Sequence, residues 1–119
     1  PFDSVDELRL VPGVSSGLAD AMAPHLSVAG NGTVNLNTAE SLVLRAVGLS
    51  EAQAATVIQQ RTQTPFAGVP PEFPAGFGVQ SSQFTVPVLA WLDGQASPLR
   101  LEAIIGRSGA IHSWSYVRD

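Results

Sequence analysis

The sequence predicts an α+β fold: two helix-hairpin-helix units followed by a three-stranded antiparallel β-meander. Three observations carry this reading. A helical hairpin pattern repeats along the first half, the helix starts carry recognisable caps, and after residue 83 the apolar residues switch to the period of a strand.

Gly13 lies in Val11-Pro12-Gly13-Val14-Ser15 and Gly48 in Ala46-Val47-Gly48-Leu49-Ser50, a spacing of 35 residues. The same shift aligns Leu8 with Val43, Ala19 with Ala54, and Met22 with Val57. Self-similarity on this scale marks repeated helical pairs. Helices are expected over residues 4–11, 16–23, 38–47 and 51–61. Ser4-Val5-Asp6-Glu7 and Ser50-Glu51-Ala52-Gln53 fit the capping box, in which hydroxyl and carboxyl or amide satisfy each other's orphan backbone amides. Asn37-Thr38-Ala39-Glu40 offers a similar cap. Pro24 is expected to end the second helix, and Thr62 to Pro65 the fourth. A helix that turns back sharply needs a residue at positive φ, which glycine adopts without steric cost. Pro12, Gly13, Val14, Gly48 and Leu49 are therefore read as structural turn residues, with Val14 and Leu49 sealing the core between paired helices.

Between the two units, Gly30-Asn31-Gly32-Thr33 makes a turn ahead of a short strand-like run, Thr33-Val34-Asn35-Leu36. Asn31-Gly32-Thr33 also has the form of a glycosylation sequon, a pattern too short to carry a function alone. Residues 65–78 hold Pro65, Gly68, Pro70, Pro71, Pro74, Gly76 and Gly78, and are expected to form an irregular connection. Beyond it Phe84, Val86, Val88, Ala90 and Leu92 alternate with Thr85, Pro87, Leu89 and Trp91. Pro87 cannot donate to a ladder, so this strand is expected at an edge or at a bulge. Asp93-Gly94 opens the next turn, Leu99 to Ile105 forms the second strand, Ser108-Gly109 turns again, and Ile111 to Arg118 forms the third. The predicted domains are 1–66 for the helical hairpins, 67–82 for the connection and 83–119 for the strands.

Composition narrows the function. The chain has 119 residues, 45% hydrophobic and 13% charged, with a net charge of −4. The charged share is about half of the usual ~25%, which suits a surface that a partner covers. Its six basic residues are all arginine, set against ten carboxylates, a poor footprint for phosphate-rich nucleic acid or an anionic membrane. There is no cysteine, so disulfides, thiolate zinc sites and cysteine nucleophiles are excluded. The longest uncharged stretch, Phe73 to Leu92, is broken by prolines and glycines and cannot span a bilayer as a helix. The chain starts at Pro1 and reads as a piece of a longer protein.

No catalytic constellation can be assembled. The two histidines, His25 and His112, are far apart in the chain. Ser113 follows His112 directly, and strand neighbours face opposite ways. Asp3, Asp6 and Glu7 gather where negative charge favours a helix N-terminus. No Walker, dinucleotide or EF-hand pattern occurs. Trp91, Trp114 and Tyr116 are strand aromatics, read as a candidate protein interface.

Taken in order, these segments resemble a known family. Phe2-Asp3-Ser4-Val5-Asp6-Glu7-Leu8 with Leu10-Val11-Pro12-Gly13-Val14 is one signature. Val34-Asn35-Leu36-Asn37-Thr38-Ala39, Val47-Gly48-Leu49-Ser50-Glu51-Ala52-Gln53-Ala54, Ile58 to Arg61 and Pro65-Phe66-Ala67 make the second, and terminal strands ending near Trp114-Ser115-Tyr116 complete the set. The set resembles the C-terminal part of general secretion pathway protein K, a minor pseudopilin of the bacterial type II secretion system. The resemblance implies a non-enzymatic component with a membrane-anchoring helix outside this chain, a pilin-like sheet, and a helical insert of sterile-alpha-motif-like (SAM-like) modules. It implies a periplasmic location on the inner membrane and assembly with pseudopilins I and J at the pseudopilus tip, with secreted substrate as a further candidate partner. Some family members bind calcium, and no ligands can be assigned to residues here.

The glycine hairpins also resemble the DNA-binding helix-hairpin-helix, the alternative reading. That motif carries a second glycine and a flanking basic residue beside the phosphate. Here Ser15 and Ser50 stand at the second glycine position, and no lysine flanks either turn.

Overall fold

A computed structural model describes residues 2–117, which divide into two units, one ending at Gln80 and the other beginning at Ser81.

The first unit opens with a 3₁₀ helix, Val5–Leu10, rather than the α-helix expected over residues 4–11. Its capping box does form: Ser4 Oγ accepts from the Asp6 amide, and Glu7 Oε1 accepts from the amides of Asp3 and Ser4. The tighter helix follows from its surroundings. It buries no residue, and Val11 precedes Pro12, which bars Val11 from helical dihedrals. A six-residue segment without a buried face has little to reward full α-helical winding. α1, Ser16–Met22, starts on Ser15, whose Oγ accepts from the Leu18 amide, and buries Ala19. Pro24 does not end the helical run outright. It sits in the first turn of a further 3₁₀ turn, Ala23–His25, where a missing amide costs nothing.

The core of this unit lies further on. α2 (Ser41–Val47) and α3 (Glu51–Gln63) form a tight pair, and Leu36, Leu44, Leu49, Ala54, Val57 and Phe77 are buried together. Leu36, Leu44 and Val57 are fully enclosed, and each stabilises the fold by about 1.5–3 kcal/mol. α2 begins three residues later than expected, because Asn37-Thr38-Ala39-Glu40 does not cap it. The N-cap is Glu40, which makes no side-chain cap bond, and the amides of Thr38 and Ala39 bond to Asn35 O in a separate turn. α3 has the full capping box on Ser50 and Gln53 and runs to Gln63, past the expected stop at Thr62, whose hydroxyl donates to Gln59 O.

The strand-like run expected at Thr33–Leu36 forms a short strand, and what the sequence did not indicate is its partner. β1 (Val34–Asn35) pairs in parallel with β2 (Phe77–Gly78), which lies at the end of the segment expected to be irregular.

The second unit is an antiparallel sheet of order β3-β4-β5, built from Gln83–Ala90, Leu99–Gly106 and Ile111–Tyr116. The α+β class and the meander are as the sequence predicts. Pro87 lies in β3, an edge strand of this sheet, opposite Glu102. Two boundaries differ. β3 ends at Ala90, so Trp91 and Leu92 lie beyond the ladder, and β5 ends at Tyr116. Arg118, the expected end of the third strand, lies outside the described residues. The register between β4 and β5 shifts between Ile104 and Ile105, leaving His112 as the extra residue of a bulge.

Candidate functional site

Residues paired across an antiparallel ladder share a face of the sheet. Val86, Ala103 and Trp114 therefore form one row, and Val88, Leu101 and Tyr116 the next. The bulge returns Ile111 to the same side, opposite Ile105, which pairs with Phe84. The other face carries Thr85, Pro87, Arg100, Glu102, Ser113 and Ser115. One side of the sheet is thus free of charge and apolar along all three strands. It is also open: Ile111, Trp114 and Tyr116 are 68%, 61% and 62% exposed. Contiguous open apolar surface of this kind marks contact sites, whereas single exposed apolar residues do not. Trp114 and Tyr116 pack edge to face, with ring centroids 5.6 Å apart and planes at 82°. Trp91 is also exposed, past the end of β3 and outside the ladder that sets the other two side by side.

The turn residues sit in the first unit. Gly13 has φ +89° with open space around it, Pro12 is exposed, and Val14 is half-buried, its amide bonded to Val11 O. Gly48 has φ +134° and ends α2, its amide bonding back to Arg45 O and Leu44 O, while Leu49 enters the core and donates to Leu44 O. Here the Pro/Gly segment is more than a connection. A Cβ on Gly48 would meet Pro74 Cγ at 3.0 Å, and one on Gly76 would meet Val47 Cγ1 at 3.1 Å.

Two polar residues whose roles sequence reasoning missed hold this arrangement. Asn37 Nδ2 donates to Phe66 O (3.1 Å) and Val79 O (2.9 Å), and its Oδ1 accepts from the Phe66 amide (2.7 Å). Arg61 donates from one guanidinium nitrogen to Leu36 O (3.0 Å) and Ala39 O (2.6 Å). Both belong to motifs quoted above, yet only their long-range partners reveal the task. They satisfy carbonyls that the turn at Asn35–Ala39 and the segment after α3 would otherwise leave unpaired.

The ionisable groups do structural work. Arg9 pairs with Asp20, joining the first 3₁₀ helix to α1, and that hydrogen bond, with the Asp20 charge, raises the Arg9 pKa above its ordinary value. His25 pairs through Nδ1 with Glu40. It also lines an apolar cleft of about 380 Å³ between α1 and α2, with Met22, Leu26 and Leu42 among its walls. The His112 ring lies over Gly106, where a Cβ would come within 2.5 Å of Nε2. Among the described residues no three acidic or imidazole side chains gather as the oxygen-rich shell of calcium requires, so no calcium site is assigned within them.

The first unit is thus built on a buried pair of helices, and the second is a small sheet with one open apolar face. Residues 34–86 match the family model described as Type II secretion system (T2SS), protein K, and so support the resemblance read from the sequence. The matched segment is just under half of the chain, and over it the sequence is similar to type II secretion system protein K. The match contains the whole buried cluster from Leu36 to Phe77, together with Asn37 and Arg61. The Phe2–Val14 signature and β4 and β5 lie outside it. No curated protein and no solved structure is significantly similar to the chain. Among the described residues no helix is long and apolar enough to cross a membrane.

Proposed function

We propose that this chain is the C-terminal periplasmic part of a minor pseudopilin, a non-enzymatic subunit of the pseudopilus tip that assembles with I- and J-type pseudopilins. The observation that carries the reading is the protein K match over residues 34–86, which coincides with the residues that build the core of the first unit. In this reading residues 1–66 are the SAM-like, helix-hairpin-helix end of the helical insert, with Pro12, Gly13, Val14, Gly48 and Leu49 as its turns. Residues 67–82 connect, and 83–119 close the pilin-like sheet of a subunit anchored in the inner membrane. Trp91, Trp114 and Tyr116 belong to the subunit interface, where neutral apolar surface is buried on assembly.

The test is size-exclusion chromatography with light scattering on this chain mixed with the soluble I- and J-type domains from the same source. A stable heteromeric peak is expected, and the Trp114→Asp variant, folded by circular dichroism, is expected to weaken it. Well-folded partners that never associate would refute the reading, and binding to duplex DNA with steep salt dependence would replace it.

A further inference from the structure

The chain has three asparagines, Asn31, Asn35 and Asn37, and the fold treats them differently. An asparagine is chemically labile when the amide nitrogen of the next residue is free to attack its side-chain carbonyl carbon. At Asn35 that nitrogen belongs to buried Leu36 and donates to Gly78 O at 2.8 Å. At Asn37 it belongs to Thr38 and donates to Asn35 O, and the Asn37 side chain is itself held by Phe66 and Val79. At Asn31 the next residue is Gly32, and among the described residues no acceptor takes its amide. Both residues are exposed. Gly32 stands at φ +80° with nothing within 4 Å of where a Cβ would lie, so no side chain obstructs ring closure. The Asn31 carbonyl is also activated. Its Oδ1 accepts from the Thr33 amide at 3.1 Å and from the Thr33 hydroxyl at 2.7 Å. Donors aimed at an oxygen stabilise the negative charge that gathers on it when its carbon is attacked.

We propose that Asn31 is a self-modifying site of the folded protein, converted by water to aspartate and isoaspartate through a cyclic imide with Gly32. The Gly32 nitrogen gives its proton to hydroxide and bonds to Asn31 Cγ. The Cγ–Nδ2 bond breaks, and Nδ2 leaves as ammonia. Water then opens the five-membered ring. Breaking the new bond between Cγ and nitrogen gives aspartate. Breaking the bond between the Asn31 backbone carbonyl carbon and nitrogen gives isoaspartate, in which the main chain runs through Cβ and Cγ. Either product adds one negative charge to a chain whose net charge is −4. Isoaspartate also lengthens the main chain by one methylene just ahead of Val34, whose amide donates to Gly76 O at 2.8 Å beside the β1–β2 pair. The proposal goes beyond the pseudopilin reading and does not depend on it.

The folded chain, held at mildly alkaline pH in heavy-oxygen water and mapped by peptide fragmentation, tests it. A labelled carboxyl is expected at residue 31, forming faster as hydroxide concentration rises, with Asn35 and Asn37 unchanged. Part of the product is expected to serve as substrate for an isoaspartyl methyltransferase. N31Q, whose side chain is too long to close a five-membered ring, is expected to stay unlabelled. T33V keeps the amide donor to Oδ1 but loses the hydroxyl, and is expected to slow conversion about threefold or more. A synthetic peptide of residues 27–34, incubated in parallel, gives the rate of the same sequence without the fold. Asn31 left intact after that peptide has converted would overturn the proposal, and so would equal labelling at all three asparagines. A folded T33V that converts at the parent's rate would overturn the part assigned to the hydroxyl.

Discussion

At the residue scale, Asn37 and the two hairpin glycines show how different the same kind of signal can be. Asn37 reads in sequence as part of a helix cap, yet its side chain holds Phe66 and Val79, 29 and 42 residues further on. Asn37→Ala leaves those backbone groups without partners and is expected to destabilise the first unit by about 1–3 kcal/mol in urea unfolding. Gly13 and Gly48 both stand at positive φ, but only Gly48 faces a neighbour, with Pro74 3.0 Å from where a Cβ would lie. Gly48→Ala is therefore expected to cost more than Gly13→Ala, by about 1 kcal/mol or more, in parallel thermal melts. Positive φ could be inferred from the turn; the crowding at one turn and open space at the other could not.

At the element scale, local signals succeeded where a helix also had something to pack against. The Ser50 capping box and the buried Ala54 and Val57 agree, and α3 is the longest helix, Glu51–Gln63. Ser50→Ala is expected to lower stability by about 1 kcal/mol, readable as a fall in melting temperature of the helical signal. The Ser4 box is equally complete but leads into a 3₁₀ helix, since no residue of Val5–Leu10 is buried. α1 holds Gly17 with open space around the missing Cβ, so Gly17→Ala is expected to stabilise by about 0.5–1 kcal/mol in the same melts. β3 and β4 followed the period-two pattern closely, because successive residues of a regular strand face opposite ways, while the bulge at His112 shifts that alternation within β5. Trp91 fell outside β3 since the alternation continues past the point where β4 ceases to offer partners, at the Ala90–Leu99 pair.

At the scale of the whole molecule, the chain divides at Gln80 and Ser81, and the first unit's buried cluster is drawn wholly from its own residues. Both tryptophans lie in the second unit, so fluorescence reports the sheet while the 222 nm ellipticity reports chiefly the helices. Leu44→Ala is expected to destabilise the helical transition by about 2–5 kcal/mol and to move the tryptophan transition less, a difference visible in one pair of melts. The sequence by itself determined the class of fold, the placing of the meander after the helices, the glycine turns and the segment that resembles protein K. Caps, φ preferences and side-chain alternation are written within a few neighbouring residues. Only the tertiary structure decided that Val34–Asn35 meets Phe77–Gly78, that Pro74 and Gly76 lie against the end of α2, and which aromatics share an open face. Those outcomes depend on contacts between distant positions, where burial and backbone hydrogen bonding are settled by the packing of the whole unit and no local pattern carries the register.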